Sequence, residues 1–236
     1  MRPISLLTAI TVAWVLTLLT PDASGASRGD TISARRAFVE LPATTLDLLP
    51  HYTRLDMLDY FDVDSIYRAP NTMDGRSWLE TVTPNYIKVV MTSVSTLEIK
   101  VLPGGKRGDT VMTVYTIGGG TQAADSEVQF YDASLRPLDA SKLFKPAVLF
   151  DFVEVPKGTK KAEKSATDGS PLTKRDIEAL VPFPTVEYFA SPENTELIGR
   201  LTVGKYMDLE SYQRLEPYLT GPVTYRWDGS RFRLDK

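Results

Sequence analysis

The residues with the clearest potential for chemistry are four aspartates near the start of the chain, Asp56, Asp59, Asp62 and Asp64. The first three are spaced three apart, so on a helix they drift slowly along one face. Carboxylate oxygens are the ligands that a hard cation such as Ca²⁺ prefers. The segment lacks the ligand pattern and the central glycine of a calcium-binding loop, and a solvated acidic helix face explains it as well. A metal site at these four residues is therefore one hypothesis.

A second group of candidate residues is aromatic and lies close to the C-terminus. Tyr225 and Trp227 are two residues apart and share one face of a predicted strand, and Phe232 follows after an Asp-Gly turn at 228–229. The sequence favours a place in the core of a sheet for these side chains. The alternative is an exposed aromatic platform that binds a peptide or a sugar.

The sequence lacks the residues that most catalytic mechanisms need. The chain has no cysteine and one histidine, His51, which has no recognisable nucleophile motif beside it. The glycine triplet at 118–120 lacks the Lys-Ser/Thr that follows a phosphate-binding loop. We therefore predict no catalytic residues and no cofactor. A hydrolase that uses paired carboxylates or a hard metal remains the alternative, since the sequence has 30 acidic residues.

Length, charge and composition restrict the class of protein further. A chain of 236 residues with 42% hydrophobic content can bury a sizeable core. Its net charge of -3 and pI near 5.4 lack the basic footprint of a nucleic-acid-binding protein. We expect a globular protein with no nucleic-acid partner.

The N-terminal residues 1–26 have the pattern of a cleavable signal peptide. A short basic start, Met1-Arg2-Pro3, precedes an uncharged run from Ile4 to Leu19. Small residues then allow cleavage after Gly25 or after Ala26. The apolar run has 16 residues, whereas a membrane span needs about 20. We predict an exported protein, periplasmic or secreted, with no membrane span after signal cleavage.

The remaining pattern predicts an α+β fold of antiparallel sheets with short helices, possibly in two helix-plus-meander modules. Residues 27–37 are polar and small and predict a flexible tail. The modules cover 38–142 and 143–236, and each joins short helices to strands with tight turns. The predicted helices cover 42–49, 53–62, 173–181 and 208–218, and the second is expected to bury an apolar stripe of Leu55, Leu58, Phe61 and Met57. The predicted strands lie within 77–132, among them 86–92 and 110–117, and at 146–155, 186–189, 197–203, 223–227 and 231–234.

One predicted strand of the first module carries a simple alternation. Leu97, Ile99 and Val101 alternate with Glu98 and Lys100. Alternation of this kind is typical of a strand with one buried face and one solvated face. We therefore expect Glu98 and Lys100 to face water.

Several blocks of sequence resemble a known family. The blocks are LDMLDYFD at 55–62, STLEIKVLP, DSEVQFYD, and YRWDGSRF at 225–232. They are similar to a family of exported proteins from Bacteroidales-type bacteria, the domain of unknown function 3256, over about residues 38 to 232. The resemblance implies an envelope or secreted setting, and it carries over no catalytic residues because the family has no established activity. The order of helices and strands is also similar to the modules of β-lactamase-inhibitor-like proteins, in topology only.

Together these patterns favour a non-catalytic binding module that holds an envelope protein, a peptide or a glycan through a sheet face or edge. An exposed apolar patch is the feature that this interpretation requires. The hydrolase alternative instead requires a cleft that holds at least two carboxylates.

Overall fold

The structure is a computed structural model, and it describes residues 29–63, 67–118, 123–155 and 171–235. The predicted signal peptide at 1–26 and Asp64 lie outside the described residues. The helices are α1 Ala34–Glu40, α2 His51–Asp62, α3 Ala140–Leu143, α4 Lys174–Leu180 and α5 Leu209–Leu215. The strands are β1 Ala69–Pro70, β2 Arg76–Val82, β3 Tyr86–Thr92, β4 Ser95–Leu102, β5 Thr110–Ile117, β6 Asp125–Asp132, β7 Val186–Ala190, β8 Glu196–Leu201, β9 Val223–Trp227 and β10 Phe232–Leu234.

The strands form two antiparallel sheets. The first sheet is a meander in which β1 to β6 follow one another in chain order, and the second has the order β10-β9-β8-β7. Short turns join most neighbours, as antiparallel pairing permits. The predicted α+β class with antiparallel sheets and short helices is confirmed, and so is the meander.

The segment predicted to be a flexible tail begins the first core instead. Its described residues start at Gly29, and α1 begins at Ala34 with Ser33 as its cap. Ala34, Ala37 and Phe38 are fully buried. The small side chains of Ala34 and Ala37 let the helix approach the sheet closely, so residues that suggested a tail serve packing here.

The two predicted N-terminal helices also differ from the structure. Residues 42–49 form successive turns and no helix, although Leu46 and Leu49 are buried. α2 begins at His51 after Pro50, two residues before the start that the Thr53-Asp56 pattern predicts. Thr53 is buried in the first turn of the helix, and Pro50 occupies the N-cap position in its place.

Two helix caps in the second half of the chain form as predicted, whereas one predicted strand does not. Thr173 and Asp176 form the predicted capping box of α4, and the Asp208 side chain caps α5. The predicted strand at 146–155 is wrong: residues 149–151 form a 3₁₀ turn, and Val153 pairs with Leu219 only as an isolated bridge.

The first sheet carries a core on each of its faces. On one face, α1, α2 and the turns at 42–49 pack on the odd-numbered residues of β3, β4 and β5. On the other face, Met112 and Phe130 pack with Phe144 and Tyr188 from the second half of the chain. The second core is therefore built by both halves together.

This arrangement corrects the expectation for the central strand β4. Glu98 and Lys100 are 5% and 1% exposed, because the second sheet covers their face of the first sheet. The Glu98 carboxylate accepts a hydrogen bond from the Ala190 amide at 2.7 Å. The Lys100 ammonium donates one to the Pro192 carbonyl at 2.9 Å. Both side chains therefore join the sheets to each other.

A search of the described helices for one both long and apolar enough to cross a membrane finds none.

Candidate interaction surface

The aromatic residues near the C-terminus lie inside the second core. Tyr225, Trp227 and Phe232 are 2%, 9% and 5% exposed. The Trp227 indole nitrogen donates a hydrogen bond to the Pro103 carbonyl at 2.9 Å, which satisfies its one polar atom. Phe144 makes edge contacts with the Tyr225 and Phe232 rings. The exposed aromatic platform is therefore not formed by these three residues, and the core interpretation that the sequence favoured describes their position.

The predicted metal ligands do not converge. Asp56 and Asp59 are exposed on α2, and Asp64 lies outside the described residues. Asp62 is paired with Arg35, whose two terminal nitrogens donate to its two oxygens. Across the described ranges, no group of three or more acidic, histidine or cysteine side chains is placed to hold a metal ion.

The same helix presents a different feature, which begins with a buried arginine. Arg54 is 4% exposed, and one of its terminal nitrogens donates to the carbonyls of Phe38 at 3.0 Å and Leu41 at 2.8 Å. These carbonyls belong to the end of α1, where helical hydrogen bonding stops and acceptors are left over. Arg54 therefore ties α2 to the end of α1 from inside the protein.

The inward position of Arg54 sets the rotation of α2. Thr53, Met57 and Leu58 are buried beside it. A helix turns by about 100° per residue, so the residues between these positions must face outward. Four large apolar side chains face outward, and their exposed fractions are 68% for Tyr52, 43% for Leu55, 45% for Tyr60 and 71% for Val63. We call Tyr52, Leu55, Asp56, Asp59, Tyr60 and Val63 the α2 outer face.

Charge on the α2 outer face is negative. Asp56 and Asp59 lie among its apolar side chains. Asp62 is neutralised by Arg35, and hydrogen bonds from that guanidinium hold the pKa of Asp62 below its ordinary value. The only Lys or Arg of the helix sequence is the buried Arg54. The surface therefore combines exposed apolar groups with unbalanced carboxylates.

Neighbouring aromatic contacts support one end of this surface. The Tyr60 ring stacks on Tyr67 with ring centres 4.3 Å apart. Next in sequence, the Arg68 guanidinium lies over the Trp78 ring at 4.5 Å. Stacked side chains have lost much of their rotational freedom before any partner arrives, which lowers the entropic cost of binding.

Sequence reasoning placed Leu55 on the buried stripe with Leu58 and Phe61, and so missed this surface. In the structure Leu55 is exposed, Leu58 is buried and Phe61 is half-buried. The available signal was the spacing of Tyr52, Leu55 and Asp59 at intervals of three and four, which places them on one face. That signal identifies a face, but the choice of the inward face depends on Arg54 and its partners in α1.

Fold and surface together describe an α+β protein of two stacked antiparallel sheets, with one helix that presents apolar side chains outward. The chain belongs to the family described as protein of unknown function (DUF3256), whose model matches residues 30–232. It is similar in fold to a domain of an uncharacterized protein from Porphyromonas gingivalis W83. That similarity has a TM-score of 0.69 at 19% identity and covers 85% of this chain and 96% of the other. A comparison with curated proteins finds no match.

Proposed function

We propose that the chain is an exported binding protein that holds a basic, amphipathic protein segment against the α2 outer face. The observation that carries the proposal is the outward exposure of Tyr52, Leu55, Tyr60 and Val63 on one short helix. Single exposed apolar residues are ordinary, but several on one element are typical of an interaction site. Export is supported by the signal-like pattern of residues 1–26.

The partner's chemistry follows from the carboxylates. Asp56 and Asp59 favour a cationic partner and disfavour nucleic acid and anionic lipid surfaces, both of which carry negative charge. An amphipathic helix with Lys or Arg beside an apolar stripe matches both the charge and the apolar groups. A binding role of this kind needs no catalytic group.

The experiment uses the full sequence, expressed with export and purified as the processed protein. It is titrated with a helical peptide of leucine and lysine, and with the same peptide carrying glutamate in place of lysine. We expect the lysine peptide to bind and the glutamate peptide not to bind. We expect Leu55→Ser to weaken binding about tenfold, the size of effect seen for a residue at the centre of an interface.

Leu209→Ser is the matched control, since Leu209 is a leucine that is 71% exposed on another helix. It should leave peptide binding unchanged. Asp56→Asn with Asp59→Asn should weaken binding most at low salt. Equal binding of the two peptides, or equal loss in Leu55→Ser and Leu209→Ser, would show that the α2 outer face is not the site. Separately, N-terminal sequencing should find a first residue of Ala26 or Ser27, and an intact Met1 would contradict export.

A further inference from the structure

A cleft of about 420 Å³ lies beside β7 and β8 of the second sheet, far in sequence from α2. Its walls come from the residue before β6, from β7, from the end of β8, from the turn at 202–205, from α5 and from Leu219. Small-molecule sites in proteins have volumes of about 300 to 1,000 Å³. This cleft is therefore large enough for a small ligand.

The lining of the cleft is amphipathic, with one excess positive charge. Leu201 and Leu219 provide partly exposed apolar surface, and the charged side chains of the lining are Glu187, Arg200 and Lys205. The Arg200 guanidinium is 2.6 Å from the Glu187 carboxylate, so this pair cancels. The three charged side chains sum to a charge of +1, and because Arg200 and Glu187 are paired, the uncompensated charge is that of Lys205. No ion pair of Lys205 is found within the part of the chain that the structure describes.

Hydrogen bonds and close packing fix the shape of the cleft. The buried Thr202 hydroxyl donates a hydrogen bond to the Ala124 carbonyl at 2.6 Å, and this bond joins the two sheets. The same hydroxyl lies 2.8 Å from the Thr185 hydroxyl. The Tyr212 ring lies against Gly204, where an added Cβ would come within 2.5 Å of the ring. A glycine is therefore required for the ring to form this wall.

We propose that this cleft binds a small amphipathic monocarboxylate, with its apolar part on Leu201 and Leu219 and its carboxylate at Lys205. A single excess cation beside apolar surface matches one negative charge next to a hydrocarbon group. Two sources share this chemistry: a free fatty acid, and the C-terminal residue of a peptide that ends in an apolar side chain. The site does not depend on the α2 outer face.

The test measures binding by the purified, processed protein, using isothermal titration and amide chemical shifts. The probes are octanoate, octanol, acetyl-Leu-Leu with a free C-terminus, and acetyl-Leu-Leu amide. We expect octanoate or the free-acid dipeptide to bind at least about tenfold more tightly than its neutral analogue, since the carboxylate gains a charge-assisted contact. Tighter binding of octanoate identifies the lipid source, and tighter binding of the dipeptide identifies the peptide source.

Two variants locate the site. Lys205→Gln should weaken carboxylate binding about tenfold and leave binding of the neutral analogue unchanged. Lys106→Gln is the matched control, because Lys106 is an exposed lysine in another 3₁₀ turn, and it should have no effect. The proposal is overturned if neither acid binds at millimolar concentration, if the neutral analogues bind as tightly, or if both lysine variants behave alike.

Discussion

The two faces of the first sheet are buried to the same extent but by different chemistry. On the face that α1 and α2 cover, Leu97 and Ile99 are 1% and 0% exposed and contact apolar side chains. On the face that the second sheet covers, Glu98 and Lys100 are 5% and 1% exposed. One strand thus contributes apolar side chains to one core and charged side chains to a polar junction. The comparison teaches that a charged residue in an alternating strand can be an internal contact.

The reason for the polar junction is the edge of the second sheet. β7 is an edge strand, and edge strands carry amides without a partner in the ladder. Buried amides need acceptors, and the first sheet provides them through side chains. The three bonds are Val186 N to Asp125 Oδ1 at 3.1 Å, Tyr188 N to Ser126 Oγ at 2.9 Å and Ala190 N to Glu98 Oε2 at 2.7 Å. The second sheet is therefore positioned by hydrogen bonds as well as by apolar contact.

The largest effect is expected on the apolar face. Ile99→Ala removes a fully buried side chain and leaves a cavity, and we expect a loss of about 4 kcal/mol in the free energy of unfolding. Urea denaturation measures it, with Val94→Ala as the control because Val94 is 49% exposed. A loss below about 1 kcal/mol would mean that this face is not a well-packed core.

The next effect concerns pH and the polar face. Burial raises the pKa of Glu98 to about 7 from an ordinary value of 4.5, despite the bond from the Ala190 amide. The folded protein then binds a proton that the unfolded chain releases. The stability that this group contributes is fully present below pH 4.5, its pKa in the unfolded chain, and is lost as the pH rises through the folded pKa of about 7. We expect a loss of about 2 kcal/mol from this group between about pH 5 and about pH 8.

Urea denaturation across this pH range measures the effect in the protein and in Glu98→Gln. The variant keeps an acceptor for the Ala190 amide but cannot ionise, so its stability should vary less with pH. Glu154→Gln, at an exposed position, is the control and should follow the unchanged protein. Parallel pH profiles for all three proteins would contradict a buried, titrating Glu98.

The smallest effect is expected for one junction hydrogen bond. Ser126→Ala removes the acceptor of the Tyr188 amide and the partner of the Thr116 hydroxyl, at 2.9 and 2.7 Å. We expect a loss of about 1 to 2 kcal/mol, the usual cost of a polar group left buried without a partner. The control is Ser134→Ala at an exposed position. A loss as large as that of Ile99→Ala would abolish the distinction between the two faces.

Much of the local structure was predictable from sequence. The strands at 86–92, 110–117 and 223–227 begin and end as the β-branched and aromatic runs predict. The caps of α4 and α5 were also found, because capping depends on side chains within three or four residues of each other. The candidate surface was not predicted, since the apolar stripe expected to be buried on α2 included Leu55, which faces outward.

The sequence by itself determined what neighbouring residues decide: the limits of several strands, the caps of α4 and α5, the antiparallel meander, and the match to a family. The tertiary structure decided the contacts between residues that are distant in sequence. Glu98 is buried because Ala190 lies against it, and Leu55 is exposed because Arg54 reaches the end of α1. The physical reason is that hydrogen-bonding requirements of chain ends and sheet edges are met by residues that only the folded chain brings together.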